Sequence, residues 1–332
     1  MYRRHTLALL HAGLFYLGIV VAALVLLTAS GSAQTFSKPV RVIVPFAPGG
    51  ASDILARLIG PKLQELIGQP VVVENKPGAG GNIGAEIVAK AEKDGHTLLL
   101  MDVSPLAISP TLVTGLSYNP AKELAPIGMI SFAPYVISVN PNVPAKTVAE
   151  FIAFGKANAG KVLFANPGIG LANHLTNVQV AKAWGLDVKH VPYKGGSEAM
   201  KSVASGETHL TINSIPTTAA FLSGGQVRAI ALSGEQRHEQ FKDLPSFKEL
   251  NLEPIDSGSW QGLLTTAGAP PALITRLNAD LGKILAMADI RKRLGDLGAE
   301  VKAGPASELA TWLERNTATF ATVIKESGIK LQ

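Results

Sequence analysis

The 332-residue chain contains no cysteine. That excludes disulfides, thiolate metal sites and a cysteine nucleophile, and leaves stability to the apolar core. Charged residues are sparse at 17% and aromatics at 6%. No Lys/Arg run of the nucleic-acid-binding kind occurs, so nucleic acid is not an expected partner. The histidines (His5, His11, His96, His174, His190, His209 and His238) form no pair at metal-ligand spacing, so neither a metal nor a cofactor is expected. The chain also lacks a Gly-x-Ser-x-Gly elbow and a phosphate-loop Lys-Ser/Thr. It has no repeat of fixed period and no low-complexity segment.

What is present is a chain long enough for two domains of ordinary size. Arg3 and Arg4 precede an apolar run from Leu7 to Leu27, followed by the small residues Ala29-Ser30-Gly31-Ser32-Ala33. This is the pattern of an export leader, with cleavage expected after Ala33. The run is long enough that an uncleaved anchor is the alternative. Residues 1–33 carry two arginines and no acid, so the formal charge falls from +5 to +3 on cleavage. A mildly basic chain suits a small anionic ligand without requiring one.

Strand and helix patterns alternate along the chain, which predicts an α/β fold with parallel sheets. Strands are expected at 40–44, 71–74, 97–101, 127–130, 135–139, 162–165, 188–191, 208–212, 227–232 and 260–266. Helices are expected at 53–66, 83–91, 171–184, 197–204, 271–286, 288–297 and from a Ser307 cap to about 325. Thr147 and Glu150 read as a capping box opening another helix. Two glycine loops stand out: Pro45-Phe46-Ala47-Pro48-Gly49-Gly50 and Asn166-Pro167-Gly168-Ile169-Gly170. Each lies between a strand and a helix. A helix start offers unpaired N–H groups and about half a positive charge, so such a loop seats a small anion, most simply a carboxylate. Two such loops facing each other would enclose a ligand and close about a hinge.

Several segments resemble the Bug-type, TctC-like receptors of tripartite tricarboxylate transporters. They are residues 40–53, 68–81, Asp94-Gly95-His96-Thr97-Leu98, His190-Val191-Pro192-Tyr193-Lys194-Gly195-Gly196 and Trp260-Gln261-Gly262. The resemblance runs from about residue 38 to 330. It implies a type II-like periplasmic binding protein, two α/β lobes around a hinge, that captures a small carboxylate and is not an enzyme. The partners it implies are the membrane permease subunits, with the receptor itself monomeric. The lobes are expected at 34–133 with 260–332, and at 134–259, hinged near Pro134 and 258–260. Carried over residue by residue, the ligand-binding candidates in the first lobe are Phe46, Gly49, Gly50, Ala51, Asp53 and Ser104. In the second lobe they are Asn166, Gly168, Gly170, Leu171, His174, Asn213 and Ser214. The chain has Asn166, Leu171 and Asn213 where the family often has Ser, Thr and Asp. This predicts altered ligand choice, toward an anion with an apolar or aromatic body.

Plainer roles compete at several of these positions. Asp53 suits the helix dipole and would repel an anion. His174 can cap or pack, Phe46 can fill core, Lys194 can be a solvated turn residue or steer anions, and Trp260 reads as hinge packing. Rival functions are weaker. Gly78-Ala79-Gly80-Gly81-Asn82-Ile83-Gly84 with Asp102 suggests an exported dinucleotide-dependent oxidoreductase, but Ile83 stands where the third glycine belongs. A hydrolase would need Ser52 or Ser104 with His174 and has no supporting motif. A ligand sensor serving a signalling partner fits the same binding residues.

Overall fold

In sequence order the elements are β1 (Val40–Val44), α1 (Ala51–Ile67), β2 (Val71–Asn75), α2 (Asn82–Ala89), β3 (Thr97–Asp102), α3 (Ser104–Leu112), α4 (Pro120–Glu123), β4 (Leu124–Val139), α5 (Val148–Ala157), β5 (Val162–Asn166), α6 (Ala172–Ala183), β6 (Val188–Pro192), α7 (Gly196–Ser205), β7 (Leu210–Ser214), α8 (Ile215–Ser223), β8 (Arg228–Leu232), β9 (Gly258–Thr266), α9 (Pro271–Ala286), α10 (Ala288–Asp296), β10 (Glu300–Val301) and α11 (Ala306–Ser327). This computed structural model describes residues 36–252 and 258–327, which belong to a single compact unit. The expected leader and its cleavage point lie outside the described residues. Among the described residues no helix is long and apolar enough to cross a membrane.

The strands fall into two linked sheets. In the first, β2-β1-β3 are parallel, and β9 pairs antiparallel with both β3 and the front of β4. In the second, β6-β5-β7 are parallel, and β7 and β8 pair antiparallel with the back of β4. Both sheets are therefore mixed, not parallel throughout as the βα alternation predicts. The exceptions are β4 and β9, whose pairing connects residues far apart in sequence and leaves no local signature.

The strands expected at 127–130 and 135–139 are one continuous strand. β4 passes through Pro134, which pairs with Gly258 at the end of the first ladder, and Tyr135 opens the second ladder opposite Ser214. Proline, with no N–H to donate, is tolerated at this handover.

Local rules account for much of the helix pattern. The Thr147–Glu150 capping box is formed, each side chain bonding the other's backbone N–H. α1 ends on Gly68 in the left-handed conformation, with its N–H on the Gln64 carbonyl. α11 starts at Ala306, so Ser307 lies inside the helix and does not cap it. Asn82 also falls inside its helix, and Gly81 takes the cap position. The Asn82 side chain instead joins the Ala79 carbonyl, Ser109 and Tyr118. α8, absent from the sequence pattern, follows β7 directly, with Pro216 in its first turn. One apolar cluster includes Leu99, Met101 and Leu264 of the first sheet and Ile137, Phe164 and Ile212 of the second. The core thus spans the junction between the sheets.

Candidate functional site

The C-terminal ends of the parallel strands in the two sheets point at each other, and the chain turns into a helix at each. The starts of α1, α3, α6, α7 and α8 converge on one cavity. Gly50, Ala51 and Ser52 come from α1, Pro105 from α3, Leu171, Ala172 and Asn173 from α6, Gly196 from α7, and Ser214 and Thr217 from α8. The cavity holds about 50 Å3. Phe46, Tyr135 and Pro167 add apolar wall, and Asp102, Ser259, Gln261 and Asn213 add polar wall. The lining includes no Lys, Arg or His. The first amides of a helix have no acceptor in their own helix, so the positive field here comes from backbone.

Bonds cross the gap between the halves. The Ala51 N–H, first in α1, donates to Thr217 Oγ1 at 3.0 Å. Ser197 Oγ donates to the Pro48 carbonyl at 2.7 Å. At the mouth the second glycine loop touches the 78–84 segment: a Cβ on Gly80, whose φ is +63°, would lie 2.5 Å from the Ile169 carbonyl oxygen. Gly196 is equally confined, since a Cβ there would meet Asn213 Oδ1 at 2.6 Å.

Of the residues proposed from sequence, Phe46, Gly50, Ala51, Leu171, Asn213 and Ser214 line the cavity. The others sit behind it or beside it. Asp53 accepts the Gly49 N–H, Arg57 and the Asn75 amide, and so braces the first loop. Burial pushes its carboxyl upward, but the bonds from Arg57, Gly49 and Asn75 outweigh burial and hold it below the usual range. Gly49 is one of these bracing partners and is not part of the wall. Ser104 is fully buried, and its N–H donates to Asp102 Oδ1. Asn166 accepts from Asn177 at 2.7 Å. Gly168 lines a separate hollow of about 300 Å3 at the mouth, with Tyr193, Lys194 and Glu198.

Gly170 donates its N–H to His174 Nδ1 at 3.1 Å. That ring is buried, lies edge-on to His190 at 5.8 Å, and is pushed down to about 4 by burial first and by His190 second. It is therefore a neutral acceptor pinning the second glycine loop. Trp260 stacks between Phe132 at 4.6 Å and Trp312 at 5.7 Å. In the glycine segment 78–84, a Cβ on Gly81 would touch the Phe46 ring, and one on Gly84 would touch Pro45. Its glycines thus serve close packing.

Sequence reasoning missed Ser52, Asp102 as a wall residue, Pro105, Tyr135, Pro167, Ala172, Asn173, Gly196, Thr217, Ser259 and Gln261. Ser52, Ala172 and Asn173 adjoin residues that were found, and their place in a first helical turn was the available signal. Ser259 and Gln261 arrive through the β3–β9 ladder, where Asp102 is opposite Gln261. The result is a polar chain. Ser52 Oγ donates to Gln261 Oε1 at 2.8 Å, Gln261 Nε2 to Ser259 Oγ at 2.7 Å, and Ser259 Oγ to Asp102 Oδ2 at 2.6 Å. Burial raises the Asp102 carboxyl to about 6, against the bonds from Ser259 and Ser104.

Two linked α/β halves with helix starts facing across a cavity have the fold of a periplasmic binding protein, that of a solute receptor. Residues 55–329 match the family described as "Tripartite tricarboxylate transporter family receptor", TctC, and the chain belongs to that family. It is similar to the periplasmic binding protein BugD, with 32% identity and a TM-score of 0.85, covering 90% of this chain and 100% of that one. It is also similar to Rpa4515 of R. palustris, solved with adipate (29% identity, TM-score 0.84, 89% and 98% covered). A third similar structure is MatC (Rpa3494) of Rhodopseudomonas palustris with bound malate (28% identity, TM-score 0.82, 87% and 99% covered).

Proposed function

We propose that this receptor captures one small organic carboxylate in the cavity between its halves and delivers it to the membrane subunits of a tripartite tricarboxylate-type transporter. The observation that carries this reading is the convergence of several helix starts on one small cavity whose lining has no cationic side chain. Backbone amides then neutralise the guest. The adipate and malate of the two Rhodopseudomonas relatives support the same ligand class. The ligand-contacting residues are Phe46, Gly50, Ala51, Leu171, Asn213 and Ser214, joined by Ser52, Asn173 and Thr217. Gly49, Asp53, Ser104, Asn166, Gly170 and His174 hold the loops in place, and Gly168 belongs to the mouth.

Residues 34–133 with 260–332 act as one lobe and 134–259 as the other. They hinge where β4 passes Pro134 and where β9 begins at Gly258–Trp260. The receptor works in the periplasm as a monomer, after removal of the leader at Ala33.

Isothermal calorimetry with mono-, di- and tricarboxylates tests the reading. At least one should bind with a Kd in the micromolar range or below, and silence across the panel would overturn the proposal. Gly50→Val is the matched variant. Gly50 has an ordinary φ of −82°, and a Cβ there meets nothing closer than the Ala47 carbonyl at 3.7 Å. The larger side chain should weaken binding at least about tenfold by filling the cavity, with the melting temperature nearly unchanged.

A further inference from the structure

Asp102 is a carboxyl on the wall of a cavity read as an anion site. Protein surrounds it, and part of its surface stays accessible, on the wall it forms. Oδ1 accepts the Ser104 N–H at 3.0 Å and Oδ2 accepts the Ser259 hydroxyl at 2.6 Å. The Ser104 side chain bonds this carboxyl as well. Two carboxylate oxygens offer about four acceptor directions, so part of that capacity remains. The polar chain behind it has a fixed direction. The Ser52 hydroxyl, one Gln261 N–H and the Ser259 hydroxyl are each used on the next member, and the chain ends on Asp102. It delivers no proton donor back to the cavity at that end.

A second polar residue lines the same cavity. Asn173, in the first turn of α6, is 9% exposed and lines the cavity, and its Oδ1 has no hydrogen-bond partner. The Asp102 carboxyl thus stands on the wall with both oxygens already accepting and some acceptor capacity left, beside helix starts whose first amides are donors. A guest made of carboxylate and hydrocarbon would satisfy the helix starts and bring a like charge towards Asp102. A guest that also carries an O–H or N–H group can direct it at the acceptor capacity left on Asp102.

We propose that Asp102 makes this receptor selective for carboxylates that carry their own hydrogen-bond donor, a hydroxyl or an ammonium group seated against the Asp102 carboxyl. This rests on the carboxylate reading given above. Relatives solved with malate, which bears a hydroxyl, and with adipate, which does not, leave room for such a division within the family. A site built to hydrogen-bond a donor discriminates strongly against the analogue lacking it, because its buried acceptors are then left unpaired.

The test is calorimetry on two matched series, propionate, lactate and alanine, then succinate, malate and aspartate, with wild type and Asp102→Asn. In at least one series the hydroxyl or amino member should bind at least about tenfold tighter than its parent acid. Asp102→Asn should cost the amino member at least about tenfold and the parent acid little. If Asp102→Asn does not fold by circular dichroism, the wild-type comparison alone decides. Parent acids that bind as tightly as their hydroxyl and amino partners would overturn the Asp102 assignment while leaving the carboxylate reading intact. Absence of binding by every member, and by the wider carboxylate panel, would overturn the carboxylate reading itself.

Discussion

At the scale of single residues, several side chains around the cavity hold loop backbone in place. Asp53 and His174 are alike in this. Each is a ligand candidate that the family resemblance carries over, and each fixes a glycine-loop amide, of Gly49 and Gly170 respectively. His174 makes a measurable prediction. Its folded-state pKa is depressed to about 4 from an ordinary value near 6.5, so the folded chain resists the proton that the unfolded chain accepts. The neutral ring's contribution is full above about pH 6.5 and is lost as pH falls toward 4. Asp102, raised to about 6, contributes the opposite slope between about pH 4 and 6, so wild type shows only the balance. The comparison with His174→Asn, whose Oδ1 can still accept the Gly170 N–H, isolates the histidine. Between pH 6.5 and 4 the variant should lose less melting temperature than wild type, by about 3 °C or more. Identical pH profiles by differential scanning calorimetry would exclude this role.

At the scale of elements, the legible features were those with local causes. The Thr147 capping box, the Gly68 helix stop and the span of α9 follow from neighbouring residues, and each is present. Thr147→Ala should lower the melting temperature by about 1–2 °C and leave ligand affinity unchanged, as seen by calorimetry on one preparation. An altered affinity would mean that α5 communicates with the cavity. Features made by distant pairing were not legible. Nothing near Asp102 announces that β9 will lay Ser259 and Gln261 against it, because the register is set by strands some 160 residues apart. The glycine loops had a middle standing. Their position after strands pointed to the site, yet which amides face the guest depends on how each helix start is braced.

At the scale of the whole molecule, the structure shows the halves drawn together. Ser197 Oγ on the Pro48 carbonyl is one of the bonds across the gap, and Ser197 does not line the cavity. Ser197→Ala should therefore leave the ligand contacts intact and weaken only the shut arrangement. Removing one such bond, worth about 1 kcal/mol, should raise Kd about fivefold, mostly through faster release in stopped-flow measurements. Unchanged release would mean that this bond persists when the guest departs, and that the halves do not part at this point.

The placing of β9 also governs the order in which the protein can be completed as it is made. It fills the slot between β3 and β4, yet it is synthesised after every strand of the second sheet. A growing chain that has reached Leu252 already holds β5 to β8 and the back of β4, so that sheet has all its members. The other sheet still has a gap at its centre, with the apolar flanks of β3 and β4 awaiting a neighbour. Fragments ending there should aggregate through those open edges, and chains extended past Thr266 should not.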